Sequence, residues 1–200
     1  IGAVEHHSES PESLFAHMPG LKVVACASPS DAHWMLRQAI ACDDPVIFLE
    51  PKRRYWEKGV VEDGPPPLHT SRVLRRGTTA ALACYGPMVR TCLDAAAAAE
   101  AEGHDLEVID LRTLSPLHLD PVFDAVRRTG RLVVVAEAPS SVSVAAEVAA
   151  RVQEECFHSL ESPVLRVTGF DTPYPPSRVE DDYLPDLDRV LDAVDRAVAW

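Results

Sequence analysis

At 200 residues, with 46% hydrophobic and 25% charged side chains, the chain is long enough to bury a core and has an ordinary globular composition. Its net charge of −12 argues against a nucleic acid or an anionic membrane as partner, since both select a basic surface. No apolar run approaches the ~20 residues that cross a bilayer, and no basic segment followed by an apolar one marks a secretion signal. The five cysteines (Cys26, Cys42, Cys84, Cys92 and Cys156) form no C-x-x-C pair, which favours a reducing, cytosolic-type compartment and disfavours a zinc site. The chain opens on Ile1-Gly2 without an initiator Met, and is expected to be part of a longer protein.

The first stretch, Glu5-His6-His7-Ser8-Glu9-Ser10-Pro11-Glu12, gathers two imidazoles, three carboxylates and two hydroxyls. His7 is the candidate proton-transfer group, because an imidazole beside carboxylates titrates near neutral pH. A histidine in a polar loop is, on its own, more often merely exposed. Ser8 and Ser10 are expected to cap a short helix over residues 13–18, with Glu12 in its first turn. Capping alone would account for this grammar without catalysis.

A strand is expected over 21–26, then a helix capped by Ser30 or Asp31 and running to Ile40, with Ala32, Met35, Leu36, Ala39 and Ile40 on one face. Val46 to Leu49 is a second strand, and the strand–helix–strand order predicts a right-handed parallel crossover. Two strands cannot cover their own edges, so residues 1–62 read as the tail of a larger α/β domain. The charged and aromatic run from Lys52 to Lys58 is either a solvated turn or a contact for a phosphate or a partner. Residues 63–72, with Pro65-Pro66-Pro67, form a semi-rigid linker.

Residues 73–200 alternate regularly. Strands are expected over 78–85, 106–111, 132–135 and 163–167. Helices are expected from Met88 through the alanine run to Gly103, from Asp120 to Arg127, from Val144 to Phe157 and from Leu187 to Val198. The β-branched run Leu132 to Val135 is what a central strand covered on both faces requires. The fold class is therefore α/β, a three-layer domain with a mostly parallel sheet. Asp110 and Arg112 follow a strand where open α/β sheets place ligands, yet the preferred reading is an ion pair between them at a domain contact. No phosphate-binding glycine loop, nucleophile elbow or H-E-x-x-H occurs.

Five ordered blocks resemble one family: Gly2 through Glu12, Phe48-Leu49-Glu50-Pro51-Lys52, Val108 through Pro116, Thr129 through Val135, and Asp171 through Pro176. Together they look like the β subunit of 2-oxo acid dehydrogenase E1 components, closest to bacterial branched-chain members. The resemblance implies a transketolase-type C-terminal domain preceded by the tail of a pyrimidine-binding domain. It also implies thiamine diphosphate with Mg, bound mainly by segments other than these. The glutamate that activates the cofactor's aminopyrimidine ring would lie ahead of Ile1, so this stretch alone is expected to be inactive.

The implied reaction is oxidative decarboxylation of a small 2-oxo acid with acyl transfer to a lipoyl group on E2. The implied partners are an E1 α subunit, a second β subunit and the E2 subunit-binding domain. His7 matches the family's active-site histidine, and Ala39, Cys42 and Asp44 match a structural potassium site made largely of main-chain carbonyls. Cytoplasm in a bacterium, or the mitochondrial matrix in a eukaryote, is the implied location. The alternatives are a non-catalytic module for dimerisation and E2 docking, or the same part of a pyruvate or acetoin dehydrogenase. One departure is Ser140-Ser141-Val142-Ser143, where relatives often carry a glycine-rich turn.

Overall fold

A computed structural model describes residues 2–3 and 5–200. Ile1 and Val4, and the side chain of Glu5, which belong to the first part of the chain singled out above, lie outside the described residues.

The first part of the chain holds α1 (Glu12–Ala16), β1 (Lys22–Ala25), α2 (Pro29–Ile40) and β2 (Val46–Leu49). Strands β1 and β2 pair in parallel, as a crossover through α2 dictates. The cap of α2 is Ser28, whose Oγ accepts from the Asp31 N–H at 3.0 Å, and Pro29 occupies the first helical turn. The expected caps, Ser30 and Asp31, sit inside the helix instead. Met35 is fully buried, whereas Leu36 and Ile40 are exposed, so the buried face of α2 is narrower than its periodicity implies. Helix α1 begins at Glu12 behind Pro11 with no side-chain cap, and the expected caps Ser8 and Ser10 do not serve it.

The second part contains β3 (Arg72–Arg75), β4 (Ala80–Cys84), α3 (Met88–Glu100), β5 (Leu106–Asp110), β6 (Thr113–Ser115), α4 (Asp120–Thr129), β7 (Leu132–Pro139), α5 (Val144–Cys156), β8 (Leu165–Gly169), α6 (Glu180–Tyr183) and α7 (Leu187–Val198). The sheet order is β3-β5-β4-β7-β8, parallel except for β3 at one edge. Residues of α4 and α5 fill one face and those of α3 and α7 the other. This is the three-layer, mostly parallel α/β arrangement that the alternation predicts. Every residue of β4 and β5 is buried, and Leu132 to Val135 are fully so.

Two strands were not anticipated. Strand β3 is a short antiparallel edge. Strand β6 leaves the second sheet immediately after β5 and pairs antiparallel with β1. The smaller sheet is thus β2-β1-β6, and an edge that residues 1–62 cannot cover is covered by the segment after β5. The turn between β5 and β6 is made by Arg112, at φ 56, whose carbonyl accepts from the Ala25 N–H at 2.8 Å. The proline segment is strapped to both parts. Gln38 donates to the Pro66 carbonyl, and Arg112 donates to the carbonyls of Pro67 and Thr70. No helix among the described residues is long and apolar enough to cross a membrane.

Candidate functional site

The C-terminal ends of β4 and β7 meet the underside of the histidine loop. Between them lies a cavity of about 260 Å3, lined by His7, Glu12, Lys52, Arg53, Tyr85 and Glu137 among others. Tyr85 directly follows β4, and Gly86, at φ 55, turns the chain away beside it. Glu137 belongs to β7. Strand ends of this kind are where open parallel sheets build ligand sites, because the loops there diverge and leave a crevice.

His7 closes a short 3-10 turn (Glu5–His7), and its ring stands 4.1 Å from that of His6, centroid to centroid. Both imidazoles are exposed. The neighbouring Ser8 Oγ is buried, with no hydrogen-bond partner among the described residues. Glu9 is exposed on the same loop.

Behind the loop the side chains are buried and ionisable. Glu12 is 4% exposed, and its Oε1 accepts from the Tyr85 hydroxyl at 2.6 Å. Burial raises the Glu12 pKa, with the Tyr85 hydrogen bond acting in the opposite sense. Burial, followed by the Glu12 charge, pushes the Tyr85 hydroxyl well above its ordinary range. The Glu137 carboxyl is raised by burial and opposed by Arg53, whose Nη1 lies 3.5 Å from Glu137 Oε1 without a hydrogen bond forming. The sequence marked Glu12 only as a helix-turn carboxylate and did not single out Tyr85 or Glu137's burial. The available signal was Tyr85, an aromatic directly after an apolar strand run and ahead of Gly86-Pro87.

The arrangement at Asp110 and Arg112 corrects the expected side-chain pair. Arg112 Nε is 3.2 Å from Asp31 Oδ1, on α2, while Asp110 Oδ1 accepts from the Arg112 backbone N–H at 3.0 Å. The left-handed backbone of Arg112 turns its guanidinium away from Asp110 and into the first part of the chain. The domain-contact role therefore stands with a different carboxylate. Burial, then the Asp31 charge, pushes the Asp110 pKa up to about 8, against the Arg112 N–H and charge. In the Lys52 to Lys58 run, Arg53 lies near Glu137 and Arg54 pairs with Glu57 at 2.7 Å, so both cations face carboxylates of this chain. Trp56 in the same run is 92% exposed.

Ala39 lies in the last turn of α2 and its carbonyl accepts from the Cys42 N–H at 3.2 Å, while Asp44 lies 3.5 Å from Lys22 Nζ. Oxygen donors are the right chemistry for a hard cation, but here Lys22 competes for the carboxylate. Among the described residues no group of three or more His, Cys, Asp or Glu could hold a metal ion. A diphosphate would also find no cradle of glycine amides at this cavity. His7, exposed at the rim of the cavity, is open to a polar group presented from outside. As placed, the residues line one side of an open cavity.

Comparison with known proteins gives the context. The family model for the transketolase C-terminal domain matches residues 69–190, and that for the transketolase pyrimidine binding domain matches residues 2–57. A pyruvate dehydrogenase E1 component subunit beta from Leifsonia xyli subsp. xyli is 56% identical, over 100% of this chain and 60% of that protein. A 3-methyl-2-oxobutanoate dehydrogenase subunit beta from Mycobacterium tuberculosis is 52% identical, over 99% of this chain and 58% of its own length. A solved split gene transketolase, described as an inactive beta4 tetramer, superposes with a TM-score of 0.80 at 23% identity, covering 94% of this chain and 60% of that one. The chain thus spans about 60% of the length of these relatives. With both domain models matched in order and such identity along its whole length, the chain belongs to the transketolase C-terminal domain family, alongside the β subunits of 2-oxo acid dehydrogenase E1 components.

Proposed function

We propose that this chain is the part of an E1 β subunit that carries the histidine loop and the C-terminal domain, with boundaries near 1–62, 63–72 and 73–200. The parent enzyme would oxidatively decarboxylate a small 2-oxo acid and pass the acyl group to a lipoyl group on E2. The observation that carries this reading is the placement of His7. Its imidazole is exposed at the mouth of a cavity built on the C-terminal strand ends, in a loop the second domain holds from behind.

Thiamine diphosphate with Mg, when bound, would supply the ylid chemistry for decarboxylation. Its anchors would come from an E1 α subunit and from the rest of the β subunit. The role of this chain is then to set a wall of the channel and to hold or deliver a proton at a ring nitrogen of His7. The buried strand ends behind the loop keep water from that side. A second β subunit and the E2 subunit-binding domain complete the proposed assembly. A potassium ion at Ala39, Cys42 and Asp44 is a further part of the proposal, supported by oxygen donors in one turn.

A branched-chain substrate is supported by the form of the Glu5-His6-His7 and Lys52 to Trp56 stretches. Pyruvate is the second reading, supported by the name of the 56% identical relative. The test is to assemble the full-length chain with its α partner and supply thiamine diphosphate, then assay pyruvate and 3-methyl-2-oxobutanoate in parallel. Turnover of the branched acid in preference to pyruvate is expected. Preference for pyruvate moves the assignment to the second reading, and turnover of neither overturns the E1 reading.

A further inference from the structure

Helix α1 is a single five-residue turn, too short to be stable by itself, and its N-terminus has Pro11 in place of a capping side chain. Its first residue is nevertheless a glutamate 4% exposed to solvent. Glutamate is almost never buried unless something in the fold requires it, and a leucine or glutamine would fill the position at less desolvation cost. What Glu12 meets there is the Tyr85 hydroxyl, 2.6 Å away and 73 positions on in sequence, at the end of a fully buried strand. On the other side of the loop the Gly2 N–H donates to Glu180 Oε2 at 2.6 Å, and Glu180 also accepts from the Tyr174 hydroxyl. Two tyrosine–glutamate pairs, Tyr85 with Glu12 and Tyr174 with Glu180, therefore bracket the segment in which His7 stands.

We propose that Tyr85 and Glu12 are positioning residues for His7: the hydroxyl fixed at the end of β4 holds the Glu12 carboxyl and so sets where the imidazole, five residues earlier, faces the cavity mouth. Phe15 and Ala16 pack α1 on the core, but apolar contact alone allows the helix to roll and slide, whereas one short bond to a rigid strand end removes that freedom. The catalytic value of the latch rests on the role proposed for His7. The latch itself rests only on geometry.

The test uses the full-length chain and follows amide hydrogen exchange over residues 5–11. The variants are Tyr85→Phe, Glu12→Leu and Glu12→Gln, the last keeping an acceptor oxygen for the Tyr85 hydroxyl. Loss of one such bond should speed exchange in this segment about tenfold in Tyr85→Phe and Glu12→Leu, with β4 and β7 unchanged, and Glu12→Gln should stay within about twofold of the parent. In the assembled enzyme the first two variants should lose kcat while keeping KM for the 2-oxo acid, and Glu12→Gln should restore it. Unchanged exchange over 5–11 in Tyr85→Phe overturns the proposal, as does an equal rise across the whole chain. Should Tyr85→Phe not fold, Glu12→Asp, which shortens the reach to the hydroxyl by one carbon, gives the same reading. If exchange rises as expected while His7→Ala leaves turnover intact, the latch stands and the catalytic role of His7 fails.

Discussion

Val142 adopts φ 52, a left-handed conformation that a β-branched side chain tolerates poorly, and it is 91% exposed. Glycine adopts this conformation without the clash of a Cβ. Val142→Gly is therefore expected to stabilise the protein by about 1 kcal/mol and to raise Tm by about 2–4 °C, measured by thermal unfolding. The polarity of the His7 loop was legible in the sequence, which has no apolar side chain from Glu5 to Ser10. The partner of Arg112 was not, since a single left-handed residue redirects the guanidinium by a whole domain and leaves no trace in composition.

Among the elements, length did not decide legibility: the four-residue β1 and β2 announce themselves as apolar runs on either side of a helix pattern, whereas β3 and β6 do not. Leu187 to Val198 and the β4, β5 and β7 runs declare themselves by periodicity or by continuous burial. Strands β3 and β6 have four and three residues, and each exists only because a distant strand offers it a partner. The Arg112 turn that launches β6 also carries the ion pair to Asp31 and the bonds to the Pro67 and Thr70 carbonyls. Removing a buried guanidinium leaves Asp31 without its charge partner and the Pro67 and Thr70 carbonyls without a donor. Arg112→Ala is expected to cost about 3–5 kcal/mol in urea unfolding, a large share of a typical domain's stability. Amides of β1 should then exchange much faster than those of β4. Equal protection in both strands would argue that β6 pairing does not depend on the arginine.

At the scale of the whole molecule, several carboxyls lie buried at the join between the two parts. Asp110, with a pKa near 8 against about 3.9 in the unfolded chain, keeps a proton in the folded state that the unfolded chain gives up. Its contribution to stability is therefore complete below about pH 4 and declines as pH rises through about 8. Glu12 and Glu137, also raised by burial, act with the same sign. Asp110→Asn retains an oxygen for the Arg112 N–H and cannot ionise. It should be more stable than the parent at pH 8 and should flatten the decline between pH 5 and pH 8 in denaturant titrations. An unchanged slope would mean that Asp110 is ionised in the folded protein across that range.

The cavity exists only where the two parts of the chain meet. Taken alone, the loop from Glu5 to Glu12 is a polar segment with a capping pattern. Set over Tyr85 and Glu137, it becomes the rim of a cavity on the C-terminal side of a parallel sheet. The measurement that tests this account most directly is the rate of lipoyl acylation by the full-length chain assembled with its α partner, before and after His7→Ala. A fall of about a hundredfold or more is expected, with folding and assembly unchanged. An acylation rate within about twofold of the parent, far short of the effect of losing a proton-transfer group, would contradict it.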